Sequence, residues 1–263
     1  MKRITFLIAF ALFFSVLANA QLGRRINVDR ALNAVSQGVQ SLTITDAQVI
    51  EYTNEYMVWM DANNPLVKTT DSDAGKQAVA ERLANIVSVI PQELIDRYNL
   101  DIQAYYVVDV NAFAAANGAI RMFAGLMELM TDDEILAVVG HEIGHIANND
   151  SKDAFVRALR VSALREAAGS VSGTVSRLSD SQLGELSAAL ANSQYSQAQE
   201  FEADAYGFEL LKQLGKDPGA MASALGVLLK LQEEAGASGN SRFASLFSSH
   251  PDLARRIETL NAR

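Results

Sequence analysis

The chain has 263 residues, 49% of them hydrophobic, enough for a sizeable core and against disorder as the default state. It carries 22 basic against 31 acidic residues, a net charge of −9 with no basic cluster, so nucleic acid and anionic membrane surfaces find no charged footprint here. It contains no cysteine, which excludes a disulfide framework and a lipid on an N-terminal cysteine.

Residues 1–20 read as a signal peptide. Lys2 and Arg3 precede an apolar run from Ile4 to Leu17, and Ala18-Asn19-Ala20 supplies a small-x-small cleavage site before Gln21. An uncleaved membrane anchor is the competing reading, although a span needs about 20 apolar residues. No later stretch is long and apolar enough to cross a membrane.

Residues 21–74 read as an N-terminal helical segment. Helical patterning covers 27–62, with Thr45 or Asp46 as a cap, and Asn63-Asn64-Pro65 breaks it. Val79, Leu83, Ile86, Val87 and Ile90 give 76–90 helical spacing, stopped by Pro91. Leu100 to Val110 is rich in Tyr and Val and predicts a strand; Gly118 punctuates a small apolar stretch, and Ala119 to Met122 predicts a second short strand. Thr131 with Glu134 three residues on is a capping-box pattern opening a helix that Asn148-Asn149-Asp150 ends. Residues 154–194, rich in Ala, Ser and Gly, read as loosely packed helices or a mobile lid. A helix is expected from Ser196 to Leu214, another from Asp217-Pro218, a break at Gly236 to Asn240, and a final short helix opened by Pro251.

The chemistry concentrates in His141-Glu142-Ile143-Gly144-His145. Residues four apart share one helix face, so both imidazoles can approach one zinc ion with Glu142 beside its open side. Zinc with three protein ligands keeps a fourth position for water, whose proton Glu142 can take as general base. The chain has only three histidines, and two of them stand in this motif, where a helix is independently expected. The third ligand must come from elsewhere, and Glu200-Phe201-Glu202-Ala203-Asp204 is the best segment. Glu200 and Asp204 are four apart on an expected helix: one would bind the metal, the other would orient a ligand histidine. Spacing alone does not choose Glu200 over Glu202, and a solvated acidic face is the bland alternative.

The pairing of HEIGH with a downstream EFEAD resembles peptidase family M48, gluzincin metalloproteases that include the HtpX-like and CaaX-processing enzymes. The resemblance makes Glu200 the third zinc ligand and Asp204 its helper. The distance of 55 positions from His145 to Glu200 also resembles the family. Asn111-Ala112-Phe113-Ala114, followed by Gly118 and Phe123-Ala124-Gly125-Leu126, is similar to the family's edge-strand stretch, which implies substrate binding by Asn111, Ala112, Phe113 and Ala114 through backbone pairing. Without the resemblance, an ordinary buried hairpin is the simpler reading. Ser249-His250-Pro251 followed by Arg255-Arg256-Ile257 resembles the family's C-terminal motif. It places His250 at the active site, contacting substrate or transition state, or filling the zinc's open position in a resting state; a cap or packing role is the alternative.

The resemblance covers about residues 75–263, the expected metallopeptidase domain. It implies an α+β fold, mainly helical and zincin-like, with a small sheet beside the metal helix. The chain lacks the membrane helices of the HtpX-like members and is more similar to soluble periplasmic members of the BepA and LoiP type. It lacks the repeat domain of the former and the lipidated cysteine of the latter. The implied activity is zinc-dependent endopeptidase, with one Zn2+ per chain, acting in the periplasm on unfolded or misassembled envelope proteins. Peripheral association with the outer membrane or its assembly machinery is implied as well. A binding factor that holds clients with little turnover, or a different zinc hydrolase, are the competing classes.

Overall fold

In the computed structural model, residues 44–167, 178–238, 246 and 249–263 are described. The expected signal peptide, residues 1–20, and residues 21–43 of the N-terminal segment lie outside them. Helix α1 spans Asp46–Asn63, and Thr45 caps it: its side chain accepts from Gln48 N–H while the Gln48 side chain accepts from Thr45 N–H. Helix α2 is Ala74–Val87, started by Asp73. Pro91 does end the preceding pattern, but it also opens a short helix that the sequence does not announce, α3, Gln92–Tyr98. Asn99 then turns the chain in left-handed conformation, φ 49°.

Strand β1 is only Asp101–Tyr105, shorter than the expected 100–110. Tyr106 N–H bonds Pro65 O at 2.7 Å, and the chain leaves the sheet there. Strands β2, Ala112–Ala114, and β3, Ala119–Phe123, form a hairpin around Gly118, whose φ of 93° needs a glycine. The sheet order is β1-β3-β2, with β1 parallel and β2 antiparallel to β3. Residues 65–67 run against β1, so among the described residues β2 is left at an edge. Phe123 N–H bonds Asn111 O and Ala115 N–H bonds Ala119 O. Antiparallel alternation then turns the backbone groups of Ala112 and Ala114 away from β3.

A short helix, α4, Ala124–Met127, leads to α5, Asp132–Ala147, the centre of the fold. Thr131 and Glu134 form the expected capping box, and Ile135 through His145 are all buried. Helices α6, Asp150–Ala167, α7, Asp180–Ala191, α8, Gln197–Gln213, α9, Gly219–Ser238, and α10, Leu253–Asn261, follow. Helix α9 continues through Gly236 to Ser238, and the rest of the break expected at Gly236 to Asn240 lies outside the described residues. Helix α5 packs against α8, α9, α2 and β2. One apolar cluster surrounds it, with Ile120, Met122, Leu126, Leu136, Val139, Leu211, Met221 and Leu225. A second, aromatic cluster joins α1, the sheet and α6 through Tyr56, Tyr105, Phe123 and Phe155. No helix among the described residues is long and apolar enough to cross a membrane.

Candidate metal centre

Close approach of α5 and α8 makes the site. A Cβ on Gly144 would lie 2.9 Å from Ala203 Cα, and one on Gly140 3.0 Å from Gly207 Cα. Small residues at these crossing points bring the backbones together, so the short carboxylates of Glu200 and Asp204 reach the two imidazoles. Ser196, with Gln199, caps the start of α8, which sets Glu200 in its first turn.

Both histidines are oriented from behind. His141 Nδ1 lies 2.9 Å from Asp204 Oδ1, and His145 Nδ1 lies 3.0 Å from Asp150 Oδ2. An ionised carboxylate only accepts, so each Nδ1 carries a proton, and in the neutral imidazole each Nε2 presents a lone pair. Those Nε2 atoms are 3.1 Å apart, with Glu200 oxygens 3.7 Å from His141 Nε2 and 3.4 Å from His145 Nε2. In that neutral state lone pairs face each other and an anion, and they repel unless a cation, a proton or a metal, sits among them. Donors held 2.0–2.1 Å from a tetrahedral ion lie about 3.3 Å from one another, which matches these separations. The residues therefore fit a divalent metal. His250 joins the same group: Nδ1 is 3.0 Å from Glu200 Oε1 and 3.4 Å from His141 Nε2. Ligand atoms of His141, His145, Glu200 and His250 all lie within 4.8 Å of one another, and all four residues are buried.

Burial pushes His141 down, reinforced by His145 and Arg256 beside it and opposed by Asp204. Burial also works against charge on His145, but Asp150 and Glu200 outweigh it and hold its pKa at about 9. A metal seated among these donors displaces any proton held at Nε2. Burial would raise Glu200 and Asp204; nearby His250 and His145 hold the former down, Arg256 and His141 the latter.

The structure brings all the expected polar groups together. Glu142 lies one residue beyond His141, 2% exposed, with Oε1 3.9 Å from His250 Nε2. Glu202, the other candidate from spacing, is exposed, whereas Glu200 is fully buried at the centre. A cleft of about 310 Å³ starts at Glu142 and His250 and runs along Asn111, Ala112, Phe113 and Ala114. Its other wall comes from α6 and α7 through Ala154, Phe155, Ser187 and Leu190. Ala112 N–H is bonded to the Asn111 side chain at 3.0 Å.

Three side chains at the site escape the sequence reading. Arg256, 1% exposed, grips Asp204 with Nε at 2.7 Å and Nη2 at 2.6 Å, and its Nη1 pairs with Glu200. It stands inside the Arg255-Arg256-Ile257 motif, where sequence offers no sign of its partner. Asp150 reads as part of a helix end; a carboxylate five residues after His145 is the one available signal. Tyr195 stacks on the His145 ring with centroids 3.9 Å apart, and its N–H bonds Ser249 O at 3.2 Å, tying the His250 segment to the start of α8.

A model of peptidase family M48 matches residues 76–263. Metalloprotease LoiP of Escherichia coli (strain K12) is 39% identical over 232 residues, 88% of this chain and 86% of that protein. Metalloprotease YcaL of the same strain is 31% identical over 265 residues, 100% of this chain and 98% of that protein. The crystal structure of S. mikatae Ste24p aligns at 21% identity with a TM-score of 0.43, covering 81% of this chain and 55% of that one. With the family model spanning the whole stretch from α2 to the C-terminal helix, and two metalloproteases related along nearly their full lengths, the chain belongs to peptidase family M48 and is a metalloendopeptidase.

Proposed function

We propose that this metalloendopeptidase uses zinc, is exported by residues 1–20, and cleaves unfolded or misassembled envelope proteins in the periplasm. One observation carries the reading: His141 Nε2, His145 Nε2 and the Glu200 carboxylate converge beside Glu142, where a cleft lined by an edge strand begins. His141, His145 and Glu200 hold one ion per chain, a donor set of two imidazoles and a carboxylate that suits zinc. When bound, zinc acidifies water and polarises the scissile carbonyl. Glu142 takes the proton of the attacking water and delivers it to the leaving amine. Asp204 keeps the His141 proton on Nδ1, so that Nε2 stays a donor to metal. His250, from the open side, faces the reacting peptide with Nε2.

The outward backbone groups of Ala112 and Ala114 pair with an extended substrate, flanked by Asn111 and Phe113, the Asn111 side chain giving up its bond to Ala112 N–H as the substrate enters. Backbone pairing is indifferent to sequence and needs an unfolded segment, which supports unfolded clients. Of the expected lid, residues 154–194, positions 168–177 lie outside the described residues; in this reading movement of the described parts that line the opposite wall gates access. The same strand and apolar cleft favour a second reading, a chaperone-like factor that holds clients with little turnover.

Casein cleavage and suppression of client aggregation, measured on wild type and Glu142→Gln with zinc content determined alongside, separate the two. Proteolysis should fall by about 10²–10⁴-fold in Glu142→Gln with zinc retained. His250→Ala should also keep its zinc and lose turnover; unchanged turnover removes His250 from the mechanism. Zinc-loaded wild type that suppresses aggregation without cleaving, and is indifferent to Glu142→Gln, favours the holding factor.

A further inference from the structure

The polar link behind His145 does not stop at Asp150. Asp150 uses Oδ2 for His145 and Oδ1 for Gln199, whose Nε2 donates to it at 2.6 Å. Gln199 is meanwhile fixed by the cap of α8: its Oε1 accepts from Ser196 N–H at 2.9 Å, and its own N–H donates to Ser196 Oγ at 3.3 Å. Its amide cannot turn over without breaking the cap. Asp150 is 5% exposed, so a lost partner there finds little water. The next residue on α8 is Glu200, which faces the same centre.

We propose that Asp150 and Gln199 are positioning residues: a hydrogen-bonded bridge from the α8 cap to His145 that sets the imidazole's tautomer and locks the ligand of α5 to the helix carrying Glu200. This rests on His141, His145 and Glu200 being the metal-holding groups. The bridge has a polarity. Gln199 can only offer a donor toward position 150, and His145 Nδ1 must donate to it as well, so residue 150 needs two acceptors. Asparagine has one carbonyl oxygen. In Asp150→Asn the cap-fixed Gln199 claims that oxygen and the amide NH2 faces His145 Nδ1. The imidazole proton then moves to Nε2, where it blocks the metal position. Gln199→Glu keeps the cap, since glutamate serves equally at that position, but sets a carboxylate against Asp150. Combining the two reverses the bridge: the carboxylate introduced at position 199 accepts from the asparagine NH2, and the asparagine oxygen returns to His145. Net charge is unchanged.

The test is zinc affinity of the full-length protein, by competition with a chelating dye, together with thermal unfolding of the metal-free forms. Asp150→Asn should bind zinc about 10–100-fold more weakly, Gln199→Glu more weakly than wild type, and the double variant should recover most of the Asp150→Asn loss. Metal-free melting should change little in Asp150→Asn and in the double variant, and fall in Gln199→Glu, where two carboxylates meet. Wild-type affinity in Asp150→Asn, a double variant no tighter than Asp150→Asn, or affinity losses that simply track lost metal-free stability would each overturn the bridge. A wild type that binds no zinc fails differently: it removes the metal-holding reading itself, and the bridge with it.

Discussion

Arg256 shows what a buried charge does at this site. Its guanidinium is the counter-charge for Asp204 and Glu200 and is itself almost fully buried. Removing it leaves two buried carboxylates with only imidazole partners and no guanidinium counter-charge; breaking a buried pair in this way costs about 3–5 kcal/mol. Arg256→Met should therefore lower the stability of metal-stripped protein by about that amount, read from urea unfolding, and Arg256→Lys by less, because lysine keeps the charge and loses the fork. A metal-stripped Arg256→Met as stable as wild type would mean that the carboxylates find other compensation. The contrast with HEIGH explains what sequence can reveal. His141, Glu142 and His145 are legible because one helix fixes their relation. Arg256 reaches Asp204 across 52 residues, and nothing local in either sequence segment specifies that meeting. Asp150 is local to His145, but a bend at Asn149, φ 63°, decides its direction.

At the scale of elements, the α5–α8 crossing decides whether the ligands converge. Gly144→Ala places a methyl against the α8 backbone, and overpacking of this kind costs about 1–3 kcal/mol. The variant should unfold at lower urea and bind zinc more weakly, since separating the helices carries Glu200 away from the histidines; normal zinc affinity would show that the crossing has slack. The start of α5 gives a pH prediction. Burial alone would raise the Glu134 pKa, but hydrogen bonds from Ser223 and Thr131 outweigh it and hold the carboxyl below its ordinary value. A folded pKa below the unfolded one stabilises above about pH 4.3 and loses that contribution as pH falls through the folded value. Wild type should exceed Glu134→Gln in stability at pH 7, and the gap should close toward acid; a gap independent of pH would assign it to packing. The capping boxes of α5 and α8 are readable because they are written in four consecutive residues. Helix α3 is not, since its seven residues carry no periodic signal and Pro91 serves as both stop and start. The tail of the expected 100–110 strand is lost to a competing bond, Tyr106 N–H to Pro65 O.

Over the whole molecule, two chain segments distant in sequence supply one centre. The metal helix and the sheet precede residue 150, while Glu200, Asp204, His250 and Arg256 follow it. The fold class follows from the family resemblance and the mainly helical elements around it, and the sheet order β1-β3-β2 is not readable, because pairing of β1 with β3 skips the strand between them. Such a centre, with repelling donors at its middle, needs its ion for function and gains stability from binding it. The most direct test strips the protein of metal and adds zinc back while following casein cleavage and bound metal together. Cleavage should be negligible at the outset, rise in proportion to zinc bound and level off at one equivalent per chain. Full cleavage by the metal-free protein, or zinc uptake undiminished in Glu200→Ala and His145→Ala, would contradict the account.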